Sequence, residues 1–214
     1  MYKNPTEAFE LLYQDIMNDG VDFAGTKAKF NQSFTIQNPL HKVITTPERK
    51  FNQDYAEYEW NWYREGNRDA KEIAERAKIW KQMMIPGTTE VNSNYGYFWN
   101  YNQQLKKVIK DLQLNKETRR AIVVHYLVQE MDQYKYDTPC TLSIVFCIED
   151  DKLCMTVTMR SNDLVFGFCN DQYCFSKLQK MVALRLNKEV GWYYHFAQNL
   201  HIYEKHFKLH EREI

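Results

Sequence analysis

Residues 159–175 read MRSNDLVFGFCNDQYCF, and the fold turns on how this stretch is parsed. Before it, Leu153, Met155, Val157 and Met159 alternate with Thr156, Thr158 and Arg160, which predicts a strand ending at Arg160 and Ser161. Gly167 then interrupts the run, and Asn170 and Asp171 predict a helix start, with Leu178, Met181, Val182 and Leu186 along one side. A strand that delivers Arg160, Ser161 and Asp163 at its end, followed by a Gly turn and a polar helix start, suits a phosphorylated ligand. The Arg offers a charge-assisted fork, and the helix amino end offers free N–H groups. A solvated loop with one salt bridge accounts for the same residues about as well.

Upstream, Glu149-Asp150-Asp151-Lys152 predicts a turn back to a strand over Leu142–Ile148, largely apolar on both faces. Asp137-Thr138-Pro139-Cys140-Thr141 opens that strand, and Pro139 holds the residue before it extended. Cys140 reads either as a buried structural thiol or, with Arg160 nearby, as a reactive thiolate. Thr118-Arg119-Arg120 precedes a predicted strand from Ala121 to Leu127, and Gln103–Leu112 has the period of an amphipathic helix. A further helix over Gln53–Arg64 carries Tyr55, Tyr58, Glu59 and Trp62; a carboxylate beside such an aromatic stripe is expected to hold its proton more tightly than usual. Asn4-Pro5-Thr6-Glu7 is a capped helix start, with its stripe ending near Gly20. Phe34–Ile36 and Lys42–Thr45 read as short strands around Asn38-Pro39. Downstream, Gly191–Ala197 reads as a strand and Asn199–Tyr203 as the opening of a last helix.

The chain has 214 residues, 44% of them hydrophobic, with only 7 Gly and 5 Pro, which argues for one folded domain over residues 1–214. Lys plus Arg and Asp plus Glu both number 28, so no global field draws the chain to nucleic acid or to an anionic membrane, and any anion site is local. No apolar run spans a bilayer and Met1–Asn4 begins no secretion signal, which points to the cytoplasm. Five cysteines without paired metal-ligand spacing fit reduced thiols and no metal site.

The R-S-x-D run Arg160–Asp163, the Gly four residues later and the polar residue four beyond it resemble the thymidylate synthase superfamily. Within it, RSNDLVFGFCND is most similar to the phage deoxycytidylate hydroxymethylases, which carry Asn-Asp where thymidylate synthases carry Asn. The resemblance extends from about Trp60 to Phe207, through E-x-x-W at Glu59 and Trp62, I-W at Ile79 and Trp80, S-N-Y-G ending at Tyr95 and Gly96, P-C at Cys140, and H-x-Y at His201 and Tyr203. It implies an α+β fold with a large mixed sheet flanked by helices, paired sheet to sheet in a homodimer. The place of the family's first phosphate-binding Arg holds Phe23, with Lys27 and Lys29 just after it. Thr141 stands where thymidylate synthases usually have His, in agreement with the hydroxymethylases.

The resemblance also implies roles. Cys140 is the nucleophile, Glu59 the pocket carboxylate that organises water, and Asp171 the group that reads the base. Arg160, Ser161, Asp163, Asn170, His201 and Tyr203 bind the nucleotide, while Arg119 and Arg120 cross the dimer interface to its phosphate. Trp80, Tyr95 and Asp163 line the place of the co-substrate, 5,10-methylenetetrahydrofolate. The expected activity is transfer of a one-carbon unit to carbon 5 of dCMP with hydration to the hydroxymethyl product. A methylating enzyme and a nucleotide-binding homologue without catalysis are the alternatives. Trp80, Tyr95, His201 and Tyr203 read in isolation are core aromatics, and only the motifs lift them above that.

Overall fold

In the computed structural model, residues 1–209 are described. Helix α1 (Pro5–Asp19) starts where Asn4 accepts the Glu7 N–H, with Pro5 in the first turn. Strands β1 (Val21–Phe23) and β2 (Thr26–Ile36) form a hairpin. Helix α2 (Gln53–Glu65) is capped by Asn52 and ends at Gly66 in the left-handed region. Short helices α3 (Lys71–Arg76), α4 (Lys78–Met83) and α5 (Tyr95–Asn100) follow, then α6 (Gln104–Leu114). Strand β3 (Ile122–Val124) leads through a 3-10 segment to the hairpin of β4 (Thr141–Glu149) and β5 (Lys152–Met159). Its turn residues Asp150 and Asp151 both have positive φ, the conformation a two-residue hairpin needs. Strand β6 (Asn162–Asp163), helix α7 (Cys169–Arg185) and strand β7 (Glu189–Tyr203) complete the framework.

The strands form one sheet in the order β1-β2-β7-β5-β4-β3, with β6 against β7. β7 runs parallel to β5 and β6 and antiparallel to β2, so the sheet is mixed, as expected. One face carries Ile144, Phe146, Met155, Val157, Tyr193 and Ala197 into a core shared with the helices. The other face carries Ile122 and Val124, 43% and 39% exposed, beside half-buried Val145, Thr156, Tyr194 and Phe196. A Cβ on Gly96 would lie 1.4 Å from the Tyr63 carbonyl oxygen, so only glycine lets α5 lie this close to α2. The contact stacks Tyr95 on Tyr63 and on Phe175, with ring centroids 5.0 and 5.4 Å apart.

Several expected boundaries are corrected. Lys42–Thr45 forms no strand. The strand expected at Phe34–Ile36 starts at Thr26, and the one expected over Ala121–Leu127 shrinks to Ile122–Val124. Asn199–Tyr203 opens no helix: β7 continues to Tyr203 because β2 supplies partners through this stretch, Ala28 facing His201 and Thr26 facing Tyr203. Gly167 sits inside a single π-helical turn, Leu164–Phe168, that runs directly into α7.

Candidate active site

The carboxyl ends of β5 and β6, the π-turn, the start of α7, α2 and the loop before β4 converge on a cavity of about 480 Å³. Its walls include Glu59, Trp80, Tyr95, Cys140, Arg160, Ser161, Asp163, Asn170, Asp171, His201 and Tyr203, so eleven of the thirteen expected site residues meet there. Arg119 and Arg120 do not line it. Both are exposed ahead of β3, and the nearest carboxylate to Arg120 is Asp111, 3.8 Å from Nε.

Cys140 is half-buried at the end of the loop before β4. The guanidinium of Arg160 ties that loop down: Nε donates to the Pro139 carbonyl at 3.0 Å and Nη2 to that of Thr138 at 2.7 Å, with Cys140 Sγ 3.7 Å from Nη2. Burial nevertheless pushes the thiol up to about 11 against the pull of Arg160, and the charges of Asp171 and Asp137 add to the rise. Asp137 is itself buried and accepts from the Asn92 and Ser93 backbone N–H and the Ser93 hydroxyl.

Glu59 is 5% exposed. Trp80 Nε1 donates to the Tyr55 hydroxyl, which donates to Glu59 Oε1, each over 2.8 Å. Burial first, and then the charge of Asp171, push the Glu59 carboxyl up to about 8, against the pull of the Tyr55 bond. Burial likewise raises Asp171 to about 7, even though Asn162 Nδ2 donates to its Oδ2 at 2.8 Å. The cavity thus holds two carboxyls that keep protons close to neutral pH, the property expected of acid–base groups. His201 Nδ1 lies 2.9 Å from Asn199 Oδ1, and its ring meets Tyr203 edge to face.

The expected phosphate donors at the start of α7 are not available in the form predicted. The π-turn continues into α7 without a break, and its own first N–H groups, Val165 and Phe166, are taken by the two oxygens of Asp163. Lys27 and Lys29 do not line the cavity: Lys27 donates to the Met17 carbonyl and Lys29 pairs with Asp15 at 2.7 Å. Sequence reasoning missed Asn162 and Tyr55 as site residues. Tyr55 looks like one more aromatic of the α2 stripe, and Asn162 occupies the variable position of the R-S-x-D motif.

The cavity mouth is flanked by Ile79, Phe166 and Tyr136, 49%, 46% and 51% exposed, beside buried Trp80. Exposed apolar and aromatic side chains beside polar ones suit a flat heterocycle. Among the described residues no cluster of His, Cys, Asp and Glu could hold a metal, all five cysteines are free thiols, and no helix is long and apolar enough to cross a membrane.

A family model for thymidylate synthase matches residues 8–214. The chain is 33% identical over 177 residues to the deoxycytidylate 5-hydroxymethyltransferase of Enterobacteria phage T4, covering 74% of this chain and 70% of that protein. It is 28% identical over 209 residues to the deoxyuridylate hydroxymethyltransferase of Pseudomonas phage M6, covering 94% and 59%. It is 26% identical over 152 residues to the thymidylate synthase of Streptococcus suis, covering 68% and 54%.

Proposed function

The chain belongs to the thymidylate synthase family, and from that premise we propose that it hydroxymethylates carbon 5 of a cytidine monophosphate, dCMP in particular. Enzymes of this family use methylenetetrahydrofolate as co-substrate, which supplies a one-carbon unit at the oxidation level of formaldehyde. Trp80, Tyr95 and Asp163, with the apolar mouth around them, are the residues proposed to receive it.

Cys140 adds through Sγ to carbon 6 of the pyrimidine, opening the 5,6 double bond so that carbon 5 becomes the nucleophile and takes the one-carbon unit. Loss of the carbon 5 proton and departure of tetrahydrofolate leave an exocyclic methylene, water adds to it, and expulsion of Sγ restores the double bond. Arg160 holds the Cys140 loop in place through its two carbonyl contacts and favours the thiolate. Its remaining nitrogen, with Ser161, is assigned to the nucleotide phosphate. Asn170, His201 and Tyr203 are assigned to the nucleotide as well, His201 and Tyr203 at the sugar. Glu59, fixed by Tyr55, orients the water whose oxygen becomes the new hydroxyl. Arg119 and Arg120 act across a homodimer that buries the uncovered sheet face, reaching the phosphate in the partner's cavity; the exposed Ile122 and Val124 beside them support this.

The observation that carries the choice of cytosine is the place of Asp171 in the cavity wall, with Asn162 Nδ2 donating to its Oδ2 at 2.8 Å, where burial raises the carboxyl to about 7. Cytosine offers an amine donor and an acceptor at ring nitrogen 3. A protonated carboxyl accepts from the first and donates to the second, and it can surrender that proton as negative charge develops on thiol attack. The test is to incubate the protein with methylenetetrahydrofolate and dCMP, CMP or dUMP and to weigh the products. A dCMP product heavier by the elements of formaldehyde is expected. A gain of one methylene instead identifies a methylating enzyme, and turnover of dUMP alone refutes the cytosine reading.

A further inference from the structure

A carboxylic acid does not by itself distinguish cytosine from uracil. Its two oxygens are chemically alike, and moving the proton from one to the other converts the pattern that pairs with cytosine into the pattern that pairs with uracil. Discrimination therefore needs a second group that decides which oxygen carries the proton. Resting on the cytosine reading above, we propose that Asn162 is that group: a positioning residue that keeps Asp171 Oδ2 as the acceptor and leaves the proton on Oδ1, and so sets the base specificity of the site.

The arrangement is built for this contact. Asn162 is 3% exposed, held between Arg160–Ser161 and Asp163 on β6, whose pairing with β7 places Asn162 opposite Leu200. Its Nδ2 donates to Asp171 Oδ2 at 2.8 Å. An amide nitrogen only donates, so the oxygen it meets is the one without the proton. Its own Oδ1 is buried and has no protein partner, so the bond to Asp171 is the one hydrogen bond this side chain makes among the described residues. The π-turn wraps closely around the pair. A Cβ on Gly167 would lie 2.9 Å from Asn162 Nδ2 and 3.6 Å from Asp171 Oδ2, so glycine at this position leaves the room in which the amide and carboxyl meet. The Tyr95 hydroxyl also reaches Asp171, but a hydroxyl rotates to donate or accept and imposes no choice of oxygen.

The measurement is the ratio of kcat/KM for dCMP to that for dUMP in the parent, Asn162→Ala, Asn162→Ser and Gly167→Ala. Thermal melts confirm folding, and the affinity for 2-deoxyribose 5-phosphate, which has no base, reports on the rest of the site. The ratio is expected to fall about tenfold or more in Asn162→Ala and in Asn162→Ser, whose hydroxyl donates or accepts, with sugar-phosphate affinity retained. Gly167→Ala, which displaces the amide without removing it, is expected to lower the ratio in the same direction.

A second readout separates positioning from simple support. The affinity for dCMP divided by that for the sugar phosphate cancels the titration of the phosphate, and it falls as Asp171 loses its proton with rising pH. Glu59 and Tyr63 from α2, Tyr95 from α5, Cys169 and Cys174 from α7, Tyr193 from β7, Cys140 and Asp163 surround the carboxyl and stay the same in every variant. In Asn162→Ala the carboxylate loses a donor, so that fall moves to higher pH. If folded Asn162→Ala and Asn162→Ser keep both the parent's base ratio and its pH dependence, the role of Asn162 is refuted while the cytosine reading stands. If the parent itself does not prefer dCMP, both are refuted.

Discussion

Replacing Asp171 by Asn should make the protein more stable at alkaline pH while removing its capacity to protonate cytosine. In the unfolded chain this carboxyl ionises at its ordinary value near 3.8, and in the folded protein burial holds it at about 7. Between those two values the folded state binds the extra proton, so stability falls as pH rises through the window and stays flat above it. At 1.36 kcal/mol for each tenfold change, the full cost of ionising the buried group is on the order of 4 kcal/mol. The carboxyl opens onto the cavity, and water there screens part of this, so about 2 kcal/mol is the working figure. The amide of Asp171→Asn avoids that cost and keeps an oxygen for Asn162 Nδ2. Melting temperatures of parent and variant at about pH 5 and about pH 8.5 are the assay. The variant should melt roughly 5 °C higher at the alkaline pH and should lose more than half of that advantage at the acidic one. An advantage that is absent at the alkaline pH, or equal at both, would mean that Asp171 ionises like an ordinary carboxylate. The proton argument for cytosine would then fall with it.

Other consequences are separable from this one. Cys140→Ala should abolish turnover and the release of tritium from carbon 5 of dCMP while nucleotide binding persists; continued release would sink the covalent step. Mixing Arg119→Ala with Cys140→Ala should restore part of the activity, because one site of each heterodimer then has both groups intact, and verified heterodimers without activity would exclude action across an interface. Gly96→Ala should cost upward of about 3 kcal/mol in urea titration, since its Cβ would overlap the Tyr63 carbonyl and force α5 off α2. Unchanged stability there would show that the helices re-pack without loss.

Local chemistry was legible wherever one segment carried its own instructions. Asn4, Pro5 and Glu7 specify the start of α1, two aspartates with left-handed backbone make the β4–β5 turn, and alternation along 153–159 places Arg160 at the end of β5. The thirteen expected site residues came from motifs that lie in several separate segments, and the fold brings eleven of them to one cavity. What stayed illegible depended on partners distant in the chain. Lys42–Thr45 has strand-forming residues but no neighbour to complete a ladder, whereas Asn199–Tyr203, which resembles a helix start, is drawn into β7 by the facing edge of β2. A backbone segment takes the form in which its N–H and C=O groups find partners, and a sequence does not say which partners arrive. The proton affinities of Glu59 and Asp171 have the same origin. The residue types are written in the chain, but only the packed core removes water from them, brings Tyr55 between Trp80 and Glu59, and sets Asn162 beside Asp171 across the π-turn.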